Sequence, residues 1–205
     1  KIYSSAEEII QEIKKVEEIK PSLDILMDGL VIKVNEIAPR EEIGYTTKFP
    51  KWAIAYKFDP EEISTLLNDV VWQVGRTGKL TPIALIEPVD LAGAKISRAT
   101  LNNMGDIQRK KVKIGARVFV RRSNEVIPEI LGLAEDYKTS KDILPPTQCP
   151  SCGGEVSENG ANLFCMNIDC PEQIVDSLTH FTNKEAMNIE GLSGKTIHLL
   201  YKELG

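Results

Sequence analysis

The run Val70-Val71-Trp72-Gln73-Val74-Gly75-Arg76-Thr77-Gly78-Lys79-Leu80-Thr81-Pro82-Ile83-Ala84-Leu85-Ile86 decides the fold. Val70–Val74 and 81–86 are rich in stiff Val, Ile and Trp side chains that suit a pleated strand, and the glycines between them sit where the chain must reverse. Two more segments of this kind, 117–120 and 126–131, follow after turns at 88–93 and 123–125. Short strands at this spacing predict a small barrel. The polar stretch 99–112 interrupts them and predicts a helical insert, giving an OB-like arrangement of five strands and one helix. Periodicity alone does not separate that from an SH3-like barrel.

Upstream of the barrel, Ile9, Ile10, Ile13, Val16 and Ile19 recur at helical spacing. They predict an amphipathic helix over 4–20, with Ser4 or Ser5 as N-cap before Glu7 and Glu8, and Pro21 ending it. The pattern is strand-like over 23–34, with Asp28-Gly29 at a turn or a tight strand entrance, and again over 52–58. Downstream, the polar stretch 137–148 contains Pro145-Pro146 and has the composition of a linker, so a boundary is expected there. Ile174, Leu178 and Phe181 predict one helix, and 196–204 predicts a second, joined through Glu190-Gly191-Leu192-Ser193-Gly194-Lys195. The expected fold class is α+β, in several domains.

With 205 residues and 42% apolar content, the chain can form one to three compact units. No apolar run is long enough to span a bilayer, and the first twenty residues carry too many charges for a secretory signal, so no membrane partner and a cytoplasmic location are expected. The net charge of -5 argues weakly against nucleic acid, but the charge is segregated. Lys95, Arg98, Arg109, Lys110, Lys111, Lys113, Arg117, Arg121 and Arg122 face one acid, Asp106, a local net of +8 over residues 95–122. That run is a candidate phosphate-binding face, although it would also suit a solvated helix surface.

Cys149, Cys152, Cys165 and Cys170 form two close pairs twelve residues apart, with Gly153 and Gly154 allowing a tight turn behind the first. Four thiolates so spaced suit tetrahedral zinc in a closed, structural shell. Two disulfides and a redox pair are the competing readings, the first disfavoured in a cytosolic compartment. His180 and His198 are expected to be ordinary surface or interhelical residues, because the ligand set is already complete.

Strand alternation sets Lys33 beside Val31, opposite in face to Leu30, Ile32 and Val34, and sets Lys57 on the face of the small Ala53 and Ala55. Two such lysines could converge on one phosphate, yet a lysine on the wet side of a half-buried strand is commonplace. Resemblance tips the balance. Asp28-Gly29-Leu30-Val31-Ile32-Lys33-Val34-Asn35 and Lys51-Trp52-Ala53-Ile54-Ala55-Tyr56-Lys57-Phe58 resemble the fourth and fifth nucleotidyltransferase motifs of bacterial NAD-dependent DNA ligases. Gln73-Val74-Gly75-Arg76-Thr77-Gly78, Arg98-Ala99-Thr100-Leu101-Asn102-Asn103 and Arg121-Arg122-Ser123-Asn124-Glu125-Val126-Ile127-Pro128 resemble that family's OB-domain signatures, and the cysteines fall where its zinc finger does.

The resemblance implies the end of a nucleotidyltransferase domain over 1–58, an OB-fold domain over 59–140, a four-cysteine zinc finger over 141–172 and the start of a helix-hairpin-helix domain over 173–205. It implies nick sealing in duplex DNA, in replication and repair, with NAD as AMP donor, structural zinc, and magnesium or manganese, in a monomeric bacterial enzyme. Lys33 and Lys57 would contact the adenylate during catalysis, and Asp28 would assist the metal-dependent step. Arg76, Thr77, Arg122, Val126 and Ile127 would engage DNA around the nick, and the amides of Gly191 and Gly194 would approach its backbone. One departure matters: the family's nucleophile lies in Lys-x-Asp-Gly, but the sole Asp-Gly here has Leu26 two residues before Asp28. The chain therefore reads as an internal piece that does not self-adenylate. The alternative is a non-catalytic OB-fold and zinc-finger module that binds DNA. Metal removal is expected to loosen 149–170, reduce DNA binding and leave the barrel intact.

Overall fold

A computed structural model describes residues 1–25, 27–59, 61–91, 93–122 and 127–204, in two units, Lys1–Pro60 and Glu61–Gly205. In the first, helix α1 (Ala6–Ile19) starts as its sequence requires: the Ser5 hydroxyl accepts from the Glu8 amide at 3.2 Å, and the Glu8 carboxylate accepts from the Ser4 amide at 2.7 Å. A 3-10 turn, Lys20–Ser22, follows. Strand β1 (Gly29–Lys33), helix α2 (Ala38–Ile43) and strand β2 (Ala53–Lys57) come next, and the two strands pair antiparallel from Gly29↔Lys57 to Lys33↔Ala53. Asp28-Gly29 is a strand entrance rather than a turn. A Cβ on Gly29 would lie 2.2 Å from the Tyr56 carbonyl oxygen, so the close pairing of β1 with β2 requires glycine there.

In the second unit the strands are β3 (Glu62–Val74), β4 (Lys79–Leu91), β5 (Ala94–Thr100), β6 (Lys113–Ile114), β7 (Arg117–Arg121), β8 (Glu129–Glu135) and β9 (Lys141–Asp142), with helix α3 (Met104–Lys110) after β5. Strands β4, β3, β7, β8 and β5 lie side by side in that order, and β5 pairs again with β4, closing a five-stranded barrel. β5 meets β8 in parallel at Thr100↔Glu129, and α3 lies in the connection before β7. This connectivity is the OB arrangement, which periodicity had left open against an SH3-like barrel. Leu67, Leu101, Val118, Val120 and Ile130 are fully buried in its core.

Three expectations change. Pro88, expected in a turn, does not end β4, which runs on to Leu91. Pro82 sits opposite Trp72, and Pro88 falls within the register shift between Leu85 and Val89, where no ladder donor is required. The polar stretch 99–112 is helical only over Met104–Lys110, because β5, whose Lys95, Ser97 and Arg98 are exposed, runs through Thr100. The stretch 137–148 is not a bare linker: β9 pairs with β6, and Ile143 is buried in the barrel core.

Beyond it, β10 (Val156–Asn159) and β11 (Asn162–Cys165) form a hairpin, followed by α4 (Pro171–Thr182) and α5 (Gly194–Leu204). β11 pairs with β4 through Leu163↔Leu80 and Phe164↔Lys79, so this hairpin extends the barrel sheet. Val74 and Leu80 of the barrel share a buried cluster with Cys149, Leu163, Cys165 and Cys170. The barrel and the cysteine finger therefore share a sheet edge and a buried cluster. Among the described residues no helix is long and apolar enough to cross a membrane.

Candidate metal centre, lysine face and phosphate contacts

The four cysteines converge. Cys149 lies before the Gly153 turn, Cys165 ends β11 and Cys170 precedes α4, and all four sulfur atoms lie within 4.8 Å of one another. Zn–S bonds of about 2.3 Å in a tetrahedron place sulfurs about 3.8 Å apart. Cys149 and Cys170 Sγ are 3.9 Å apart, and Cys152 and Cys165 Sγ 3.6 Å, which fits that edge and is far from a disulfide bond. Each of these two contacts joins one sulfur from each sequence pair, so the pairs interleave. Gly153 has φ of 70°, the left-handed conformation that lets the chain turn behind Cys152. The Gly154 amide donates to Cys152 Sγ at 3.4 Å and, with Asn167, holds that thiol down at about 6, while burial pushes Cys165 up to about 12. A cation that binds here displaces the proton of the raised Cys165 thiol, while Cys152 is the readier thiolate. His180 and His198 are exposed and lie outside this set.

In the first unit the register of β1 and β2 puts Lys33 and Lys57 on one face, with Val31 and Ala55 between them and Ala53 opposite Lys33. They stand four residues apart along the ribbon, about 13 Å, which two side chains reaching about 6 Å each can span to a shared anion. Lys57 Nζ pairs with the Asp28 carboxylate, and that ammonium holds the Asp28 carboxyl below its ordinary range. Lys33 is exposed, with no partner among the described residues, and lines a cleft of about 860 Å³. Ile13 and Val16 of α1 and Leu30, Ile32 and Trp52 form its apolar wall.

The basic run is largely committed within the molecule. Burial alone would raise the Asp106 carboxyl, but hydrogen bonds from Arg109, Asn102 and Lys110 hold it well below the carboxylate range. Lys110 also donates to the Ile130 carbonyl, Lys113 pairs with Asp136, Arg117 donates to the Ser64 carbonyl, and Arg121 pairs with Glu129. Lys95, Arg98 and Lys111 remain exposed without partners among the described residues, so the face is weaker than +8 implies. Arg76 and Thr77 are exposed at the tip of the β3–β4 turn. Arg122 is half-buried beyond β7, at the far end of β3, and Ile127 is 72% exposed. The barrel therefore separates these side chains rather than clustering them. Val126 lies outside the described residues.

Gly191, with φ of 83°, has open space where a Cβ would be. Gly194 opens α5, where a Cβ would come within 3.2 Å of Thr179 on α4, so its small size serves helix packing. Ser193 caps α5, its hydroxyl accepting from the Thr196 amide at 3.3 Å. Sequence reasoning missed Gln173, whose side chain donates to the carbonyls of Cys165 and Asn167 at 3.3 and 2.9 Å. A glutamine one turn into a helix carries no pattern that would reveal this.

The family model for the NAD-dependent DNA ligase adenylation domain matches residues 1–61, and that for the NAD-dependent DNA ligase OB-fold domain matches residues 64–142. A DNA ligase of Alkaliphilus oremlandii is 53% identical over 100% of this chain and 31% of its own length. DNA ligase 2 of Clostridium acetobutylicum is 55% identical over 98% of the chain and 30% of its own length, and a DNA ligase of Clostridium tetani is 54% identical over 96% and 30%. The chain spans about a third of the length of these relatives.

Proposed function

Since this chain belongs to the NAD-dependent DNA ligase family, we propose that it is the middle of such an enzyme, sealing nicks in duplex DNA with NAD as AMP donor when joined to the family's other parts. The observation that carries this is the order of the two matched domains together with the common face of Lys33 and Lys57. Every step of nick sealing is attack on phosphorus, and fixed cations stabilise the charge that grows on its oxygens. In this reading Lys33 and Lys57 bind the adenylate phosphate, and Asp28 orients Lys57 and helps a magnesium or manganese ion when one is bound. Arg76, Thr77, Arg122, Val126 and Ile127 hold the duplex, with Gly191 and Gly194 presenting amides to its backbone. Cys149, Cys152, Cys165 and Cys170 hold structural zinc, whose closed thiolate shell supplies folding energy rather than chemistry.

The domain bounds we assign are 1–58, 59–140, 141–172 and 173–205, in a monomeric cytoplasmic protein. Without Lys-x-Asp-Gly the chain forms no covalent adenylate of its own; an acid-stable AMP adduct after incubation with NAD refutes that. Pre-adenylated nicked duplex with magnesium tests the chemistry. The account expects slow sealing that falls at least a hundredfold in Lys33→Ala and Lys57→Ala, and sealing by both variants at the unmutated rate overturns their assignment. A source gene that carries no Lys-x-Asp-Gly motif ahead of Lys1 supports the alternative, a DNA-binding module.

A further inference from the structure

The turn bearing Arg76 and Thr77 is closed by its own backbone, with the Gly75 amide on the Lys79 carbonyl at 2.9 Å and the Gly78 amide on the Gly75 carbonyl at 2.8 Å. Its outgoing end is held from outside: the Gly78 carbonyl accepts from the amide of Cys165 at 2.8 Å. Cys165 is one of the four converging thiols. Gly78 has φ of 78°, and a Cβ there would lie 2.6 Å from the Cys165 carbonyl oxygen and 3.1 Å from the Gln173 carboxamide nitrogen. Glycine is therefore required twice over, by backbone conformation and by the approach of the finger.

Gln173 completes the arrangement. From α4 its carboxamide donates to the carbonyls of Cys165 and Asn167, bolting the start of the loop that leads on to Cys170 beside the Gly78 slot. A second close approach steadies the same hairpin: a Cβ on Gly105 of α3 would lie 2.8 Å from the Ala161 side chain. Together with the β11–β4 pairing, these contacts form an unbroken mechanical line from the thiols to the tip of the β3–β4 turn.

We propose that Gly78 and Gln173 are positioning residues that tie the Arg76–Thr77 turn to the four-cysteine centre, so that metal occupancy fixes how the turn is presented to a DNA phosphate. The DNA half of this rests on the reading of Arg76 as a phosphate contact; the mechanical half does not. A closed thiolate shell fixes the Cys165 backbone, Cys165 fixes the Gly78 carbonyl, and a two-residue tip cannot move far once its outgoing end is held. Loss of the metal leaves the Arg76 turn held by its own backbone bonds alone, and its further ordering must then be met from binding energy.

The test compares the zinc-loaded chain with Gly78→Ala, Gln173→Ala, Arg76→Ala and the double variant R76A/G78A. Amide exchange, zinc content and affinity for a nicked duplex across a salt series are measured for each. Gly78→Ala and Gln173→Ala should keep one zinc per chain yet exchange at least tenfold faster over residues 75–79, with residues 117–121 unchanged, and chelation of the unmutated chain should do the same. Each should also lower the salt slope by about 0.9, the loss of one phosphate contact, as Arg76→Ala does, and the double variant should lose no more than Arg76→Ala alone. Should Gly78→Ala fail to fold, Gln173→Ala carries the comparison. Unchanged exchange over 75–79 in Gln173→Ala and after chelation overturns the tie. Faster exchange with an unaltered salt slope, or slope losses that add in the double variant, overturns the role toward DNA and leaves the mechanical tie standing.

Discussion

Asp106→Asn isolates the hub that occupies the basic run. The Asp106 and Lys110 side chains are only 13% and 11% exposed, and the carboxylate also accepts from Arg109 and Asn102. Breaking a buried pair by removing one partner costs about 3–5 kcal/mol, and residual solvent contact places this one near the lower end, at about 3 kcal/mol. The sign of its pH dependence follows from the depressed carboxyl: its stabilisation is present above the unfolded carboxylate value, near 3.9, and fades as pH falls through the folded one. With the folded group still ionised at pH 3 and the unfolded one largely protonated, the gap between wild type and variant should shrink by about 1.3 kcal/mol from pH 7 to pH 3. Urea unfolding of both proteins, in chelator throughout so that metal loss does not enter, reads that gap directly. A difference below about 1 kcal/mol at pH 7, or one that does not narrow on acidification, refutes the hub.

Gly29→Ala should open the β1–β2 ribbon, because its Cβ meets the Tyr56 carbonyl at 2.2 Å and overpacking of this kind costs about 1–3 kcal/mol. Faster proteolysis within 29–57 checks it. Asp28→Asn removes only an exposed ion pair and should leave the thermal midpoint within about 2 °C of wild type, so that any loss of sealing reports chemistry rather than folding. Chelation should loosen not only 149–170 but also the Val74 and Leu80 end of the barrel, seen as faster amide exchange there, with the Val118, Val120 and Ile130 core retained. Unchanged protection at Leu80 would contradict the shared cluster.

The barrel was legible because its hairpin carries stiff side chains around Gly75 and Gly78, a strong local signal. β5 escaped because its inward positions, Ile96 and Ala99, are separated by two exposed residues, which breaks period-two alternation. Pro88 hid the true length of β4, since its tolerance depends on a register shift that only the folded sheet defines. The four cysteines could be read at once, as spacing carries their chemistry. Their weld to the barrel could not be read, because Gly78 and Leu80 lie far apart in sequence from Cys165 and Leu163, which they touch. Charge counting misled in the opposite way: the run over 95–122 is basic, but Asp136, Glu129 and the carbonyls that occupy it come from elsewhere or from the backbone.

The central claim is that this chain grips a nicked duplex through phosphates at the two separated ends of its barrel. The direct measurement is equilibrium binding of the zinc-loaded chain to a nicked duplex over a range of salt. The account predicts a linear fall of log affinity with log salt whose slope drops by about 0.9 in Arg76→Ala, by as much again in Arg122→Ala, and by their sum in the double variant. A slope that neither substitution changes would contradict it.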